Sequence, residues 1–251
     1  ATSTVAAGAR RRRVVIDAGH GGRDPGAGTA RIGSRRTVHE KDITLDVALK
    51  LRQALRTRGV DVVMTRTADT LIDLHDRGRI ANKSHADLFI SIHVNAPNPR
   101  WPRRNAVRGF ETYFLAEAIT EDDRRVEQME NSAIRFETSA AASRSDPLNF
   151  IINDMAQNEH LRESSDLAQR IQNRLARVHD GPNRGVRQAN FAVLRTSFMP
   201  AVLVELGFGS NAEEARYLTT PSHQTRMAGA IADAAMEYLE LYERRLGTVS
   251  Q

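Results

Sequence analysis

Six short runs dense in Val, Ile and Phe punctuate the chain, at residues 13–17, 61–65, 88–92, 110–115, 191–194 and 201–205. Gly, Pro, Asn or Asp bounds each run, and that combination predicts β-strands. Several runs are apolar without alternation, as strands covered on both faces are. Between them the period changes. From Ile43, apolar residues recur four apart at Val47, Leu51 and Leu55, with Gly59 as a stop, which predicts a helix. A second helix is expected over residues 71–86, with Leu74 and Ile80 facing the core, and a last one over 222–246, with Met227, Ile231, Ala235 and Leu239 on its inner face. Alternating β and α elements predict an α/β domain whose mostly parallel sheet is covered by helices on both faces.

One stretch breaks the rhythm. From residue 117 to 188 no convincing strand is visible, and a βα connection needs far less chain. Val126, Met129, Ala133 and Phe136 stand at helical spacing, a polar segment over 139–147 follows, and Ile151, Met155, Leu167, Ile171, Leu175 and Val178 mark one or two further helices. The expectation is a single catalytic domain over 13–246 that includes a helical insertion at 117–188, flanked by a linker tail, 1–12, and a short tail, 247–251.

The chain has 251 residues, enough for one full core. It has no cysteine, which excludes disulfides, thiolate metal sites and cysteine nucleophiles. No apolar run approaches the roughly 20 residues that cross a bilayer, and no export signal is present in this sequence. The net charge of +5 favours an anionic partner. Aromatics are only 5%, with no basic stripe interleaved by aromatic residues, so a nucleic-acid partner is not expected.

The chemistry-bearing residues sit at element ends. His20 closes Val14-Val15-Ile16-Asp17-Ala18-Gly19-His20, His93 closes Leu88-Phe89-Ile90-Ser91-Ile92-His93 with Asn95 beyond it, and Glu205 closes Ala201-Val202-Leu203-Val204-Glu205. Glu40 opens the first helix. In open α/β sheets the crevice beyond the carboxyl ends of the strands binds ligands. Imidazole and carboxylate suit zinc, and catalytic zinc sites keep one position for water. Each residue alone has a plainer reading: a structural histidine, a carboxylate favouring a helix dipole, a strand-end acid paired with arginine. Ionisable groups after three separate buried strands point together to a metal hydrolase. Competing motifs fail. His39-Glu40 does not extend to His-Glu-x-x-His, because the fifth position is Ile43. Gly19-x-Gly21 lacks the third glycine of a dinucleotide loop, because Asp24 stands there. No phosphate-binding P-loop or serine elbow occurs. His75, His85, His160, His179 and His223 lie among charged residues and are expected at the surface.

These blocks, with Arg77-Gly78-Arg79-Ile80-Ala81-Asn82, Phe191-Ala192-Val193-Leu194 and Val202-Leu203-Val204-Glu205-Leu206-Gly207-Phe208-Gly209-Ser210-Asn211, resemble the zinc-dependent N-acetylmuramoyl-L-alanine amidases of the amidase-3 type. The blocks run in family order over nearly the whole chain. The resemblance implies a six-stranded α/β domain, with Zn2+ held by His20, Glu40 and His93 and Glu205 as the catalytic carboxylate. Asn95 is expected to hold substrate or a neighbouring group. The implied reaction is cleavage of the amide between N-acetylmuramic acid and L-alanine in peptidoglycan, outside the cytoplasm in the periplasm. The insertion resembles that of cell-division amidases, which covers the active site until an activator with a LytM-like domain displaces it. A carboxylate from the first insertion helix is expected at the open zinc position, Glu130 first and Glu127 second, both beside the Val126, Met129 and Ala133 stripe. A stem-peptide peptidase or a non-catalytic envelope module would share much of this pattern.

Overall fold

Six strands form one sheet in the order β2-β1-β3-β6-β4-β5. They are β1 (Arg13–Ala18), β2 (Asp61–Met64), β3 (Leu88–Asn95), β4 (Phe110–Leu115), β5 (Asn183–Ala189) and β6 (Ala201–Phe208). The computed structural model describes residues 11–30, 38–137 and 147–249, the side chains of 147–159 and 246–249 excepted. The expected tail over 1–10, most of the polar segment at 139–147, the contacts of Ile151 and Met155, and the last two residues lie outside the described residues. Neighbouring strands pair in parallel except β4 with β6, which is antiparallel. Strand β1 lies between β2 and β3, so the chain leaves it first to one side and then to the other. The crevice at that reversal, at the carboxyl ends of β1 and β3, is the expected place for a ligand.

Two apolar layers follow from the two-residue period of the strands. Val14, Ile16, Ile90, Ile92, Val202 and Val204 point to one face. There they pack on α1 (Glu40–Arg56), α4 (Pro147–Leu175) and α7 (Pro221–Val249), through Val47, Leu51, Leu55, Leu167, Ile171, Ile231 and Ala235. Val15, Phe89, Tyr113 and Leu203 point to the other face, under α2 (Leu74–Lys83), α3 (Glu121–Asn131) and α5 (Ala192–Arg195). A three-residue 3-10 turn precedes β4, a five-residue one follows α3, and α6 (Ala212–Leu218) follows β6. The second face also receives the odd-numbered polar residues of β1 and β3, namely Asp17, Ser91, His93 and Asn95, all buried.

Three expectations need correction. Residues 191–194 are not a strand. Phe191 caps the short helix α5, and its apolar residues are buried against the second layer. A four-residue apolar run does not carry a period that separates the two. The sixth strand is instead β5, Asn-Arg-Gly-Val-Arg-Gln-Ala, inside the stretch that reads as strand-free. It is an edge strand, half-exposed almost throughout, so it carries little apolar signal. The later part of that stretch is therefore integral to the sheet: Leu167, Ile171 and Leu175 of α4 belong to the first core layer.

His179 is not a surface residue. It is 8% exposed and packs between the rings of Phe110 and Tyr217. Its Nε2–H donates to the Leu206 carbonyl at 2.8 Å and its Nδ1 accepts from Gly181 N at 2.8 Å. Both bonds need the neutral ring, and burial pushes its pKa down to about 4. His75, His160 and His223 are half-buried and His85 is exposed. An unfolded histidine takes up its proton near 6.5, so the stability that neutral His179 contributes is complete above that pH and falls away as pH drops towards 4. We expect His179→Gln to remove up to roughly 3 kcal/mol of that acid sensitivity, read as the change in urea-unfolding free energy between pH 7 and pH 4.5. Equal acid loss in both proteins would contradict it.

Candidate metal centre

The turn after β1 is fixed by two buried arginines. Arg77 binds Asp17 at 2.8 Å and also donates to the carbonyls of Ala18 and His20. Arg66 donates to the carbonyls of Ala18, Gly19 and Lys41. Asp17 is fully buried and accepts from Ser91 and Thr65 as well. Burial alone would raise its pKa, but Arg77 and the two hydroxyls more than reverse this and hold it below the usual carboxylate range. So anchored, His20 takes a left-handed backbone, φ 60°, that few residues other than glycine adopt. Gly19 lets the turn lie against the His93 ring, since a Cβ there would fall 2.5 Å from Cε1.

Four side chains converge in front of this turn. His20 Nε2 and His93 Nδ1 each lie 3.2 Å from Glu40 Oε1. They lie 3.2 and 2.8 Å from Glu130 Oε2. All four side chains are buried, and their donor atoms fall within 4.8 Å of one another. Glu40 is held in place by two backbone amides, Ala27 N to Oε2 at 2.8 Å and Val94 N to Oε1 at 2.7 Å. His20 Nδ1 is engaged by Asp24 Oδ2 at 2.8 Å, which leaves Nε2 aimed at the cluster. Such a carboxylate–histidine pair is the usual support of a metal-binding imidazole.

His20 Nε2, His93 Nδ1 and Glu130 Oε2 make no hydrogen bond of proper geometry, despite these short separations. Atoms that crowd together without pointing at one another point at a common centre. Two imidazoles and carboxylate oxygen suit a divalent cation such as zinc, so the residues fit a metal. Without a metal's charge the cluster balances itself by proton affinity. Burial disfavours charge on His20 and His93, but Glu40 and Glu130 outweigh it, raising His20 well above its ordinary value and His93 to about 10. Glu40 is held far down against its own burial by His20 and His93.

Glu205 stands directly across from His93 in the β3–β6 register, and Glu111 directly across from Glu205 in the β4–β6 register. Glu205 is fully buried and neither oxygen has a hydrogen-bond partner. Burial, with the charges of Glu130, Glu40 and Glu111 around it, pushes its pKa well above the ordinary range although His93 opposes this. Glu111 accepts from Tyr113 Oη at 2.7 Å, from Asn95 Nδ2 at 3.2 Å and from Arg184. That bond turns Asn95 Oδ1 away from Glu111, and this buried oxygen has no partner. The arrangement combines a cluster that could hold a cation, a carboxyl whose proton affinity is raised and an amide acceptor without a partner.

The sequence-predicted residues thus divide cleanly. His20, Glu40, His93 and Glu130 come together, with Glu205 and Asn95 on the adjoining strands. Glu127 does not join them: its carboxylate accepts from Asn190 N at the surface. Sequence reasoning missed Asp24, Asp17, Arg77 and Glu111. The signals were present: Asp24 is four residues after His20, and Glu111 is a lone acid inside an apolar strand run.

Comparison with known proteins places the whole fold. The family model described as N-acetylmuramoyl-L-alanine amidase, Amidase_3, matches residues 14–237. The chain is 34% identical over 238 residues to N-acetylmuramoyl-L-alanine amidase AmiA of Escherichia coli K12, covering 94% of this chain and 78% of that one. It is 33% identical to AmiC of Neisseria meningitidis, covering 92% of this chain and 53% of that protein. The crystal structure of an N-acetylmuramoyl-L-alanine amidase from Clostridium difficile 630 superposes with a TM-score of 0.68 at 30% identity, covering 92% and 98% of the two chains. AmiC2 of Nostoc punctiforme gives 0.66 at 30% identity, covering 93% and 99%.

Asp17→Ala should leave Arg77 charged, buried and unpaired, at a cost of roughly 3–5 kcal/mol. Chemical unfolding reads this directly, and a loss under about 1 kcal/mol would show that Arg77 finds another partner.

Proposed function

Because the chain belongs to the Amidase_3 family of N-acetylmuramoyl-L-alanine amidases, and so hydrolyses peptidoglycan, we propose that it does so as a zinc enzyme that holds itself closed. His20, Glu40 and His93 are the zinc ligands in this reading, Glu205 is the proton carrier and Glu130 fills the remaining position. The observation that carries it is the convergence of four buried donor atoms that lack hydrogen bonds among themselves. The donor set is two neutral-capable imidazoles and a carboxylate with backbone support, which is a zinc set. Zinc supplies activation of water at neutral pH and polarisation of the scissile carbonyl.

The rest falls to the protein. Glu205 takes a proton from the attacking water and delivers it to the nitrogen of L-alanine as the carbon–nitrogen bond breaks. The products are a free lactyl carboxylate on N-acetylmuramic acid and a free amine on the peptide. A carboxyl whose proton affinity is raised by burial suits both halves of that transfer. Asn95 Oδ1 is an acceptor for a substrate N–H, kept in orientation by Glu111.

Glu130 belongs to α3, whose Thr120–Asp123 capping box and buried Val126 seat it over the centre. An anionic oxygen at 2.8–3.2 Å from both imidazoles stands where substrate and water must enter. We read α3 as an autoinhibitory element displaced by an activator with a LytM-like domain, and the enzyme as a periplasmic agent of daughter-cell separation. Among the described residues no helix is long and apolar enough to cross a membrane.

Chelation should abolish release of stem peptide from purified peptidoglycan, and added zinc should restore it. Glu205→Gln should retain zinc and lose about 100-fold or more in kcat. A fully active Glu205→Gln protein would sink the assignment. Glu130→Ala should raise basal turnover about tenfold, which corresponds to about 1.4 kcal/mol of bias towards the closed form. Unchanged turnover would remove the autoinhibition.

A further inference from the structure

The row of charge in the site does not stop at Glu205. From His93 on β3 it passes to Glu205 on β6 and Glu111 on β4. It then reaches edge strand β5, where Arg184 contacts Glu111 at a break in the strand register. Arg187, three residues further on and past that register break, also faces Glu111, at 3.8 Å. Their side chains are 23% and 26% exposed, open on the side of the sheet that carries the metal centre.

The first turn of α3 covers both guanidinium groups. Asp122 lies 3.7 Å from Arg184 Nη2, and Asp123 accepts from Arg187 Nη1 at 3.4 Å. The helix that puts Glu130 at the centre therefore also puts two carboxylates on two arginines, about two turns earlier along the same helix. When α3 leaves, Arg187 keeps only the more distant Glu111, and Arg184 keeps Glu111 with Glu214 nearby, so the two partly buried guanidinium groups lose two of their carboxylates and an anion is called for. The peptide freed by this amidase begins at L-alanine and, as a peptide, carries at least one free carboxylate. Guanidinium matches carboxylate in planar, charge-assisted hydrogen bonds.

We propose that Arg184 and Arg187 form the subsite for a free carboxylate of the substrate's peptide, and that Asp122 and Asp123 of α3 occupy it as stand-ins for that carboxylate. This rests on the amidase activity and on the closure by α3 argued above. Closure then mimics substrate at two points, at the metal centre through Glu130 and at the peptide subsite through the acidic first turn. The subsite selects peptides by charge, and α3 competes with substrate for it.

Arg187 is the cleaner probe, because Arg184 directly supports Glu111. Fluorescence anisotropy of a labelled muramoyl peptide is measured on full-length Glu130→Ala/Glu205→Gln protein, which cannot turn it over. Two ligands are compared, one with a free carboxylate and one with the same group as carboxamide. The carboxylate form should bind about tenfold tighter, Arg187→Gln should erase that preference, and Arg187→Lys should keep part of it. Asp122→Asn should strengthen binding of the carboxylate form alone. Thermal melting followed by circular dichroism confirms that each variant is folded. Equal binding of the two ligands, a preference that survives Arg187→Gln, or no binding of the carboxylate form overturns the subsite. If Glu130→Ala binds no better than Glu130-containing protein, closure at the metal centre fails instead, while a carboxylate preference lost with Arg187 still establishes the subsite.

Discussion

Buried negative charge is the constraint around which this molecule is arranged. Asp17, Asp24, Glu40, Glu111, Glu130 and Glu205 are all buried, on the face of the sheet under α3 and α5, in the turn after β1 or at the start of α1. An isolated carboxylate cannot stay ionised in such a place. Each one is answered differently. Arg77 neutralises Asp17, Arg184 neutralises Glu111, and Asp24 is hydrogen-bonded to His20 Nδ1. Glu40 and Glu130 share the two imidazoles at the centre. Glu205 alone has neither a cation nor a donor bonded to it, and burial among the other carboxylates raises its proton affinity. The group without a partner is the one whose proton affinity is raised, while the paired groups are held still.

The same constraint explains how much of the fold and site was legible in the sequence. The central strands β1, β3 and β6 announced themselves, because strands covered on both faces must be apolar nearly throughout. His20, His93 and Glu205 stood out as ionisable residues ending those runs, and Glu40 as the acid opening α1. Glu130 was reachable because the Val126–Met129–Ala133 stripe fixed which side of α3 would dock. The same spacing could not separate Glu130 from Glu127, since both flank the stripe. Only the packed helix shows one buried at the centre and the other bonded to Asn190 N. The supporting groups were harder to see for a different reason. Asp17 with Arg77 is 60 residues apart in sequence, and Glu111 with Arg184 is 73. Their pairing exists only after β1, β4 and β5 have taken their places.

His179 shows the converse. Its neighbours in sequence are charged, so it read as exposed, yet its ring is drawn between Phe110 and Tyr217 to tie down the Leu206 carbonyl. Local composition describes the loop it belongs to, whereas burial is set by what the loop folds onto. Here the loop folds onto the end of β6, next to Glu205, and a neutral imidazole is the group that satisfies both an amide and a carbonyl there.

Strand β5 was hidden by its polarity, and that polarity follows from its position. An edge strand exposes unpaired backbone groups, and charged side chains keep it from pairing with another chain. Arg184 and Arg187 serve that role, but a sheet edge beside an active site offers them a second one. Glu111 draws them inward, the register break between Phe110 and Thr112 brings Arg184 within reach, and the acidic start of α3 finds them from outside. A helix held over a site by an apolar stripe alone would be bound by area, and removing it would expose that area to water. A helix held also by ion pairs at its first turn can trade them for the ion pairs of an anionic ligand at little net cost. The edge strand's charge thus connects protection of the sheet, seating of α3 and reception of substrate through a single pair of residues.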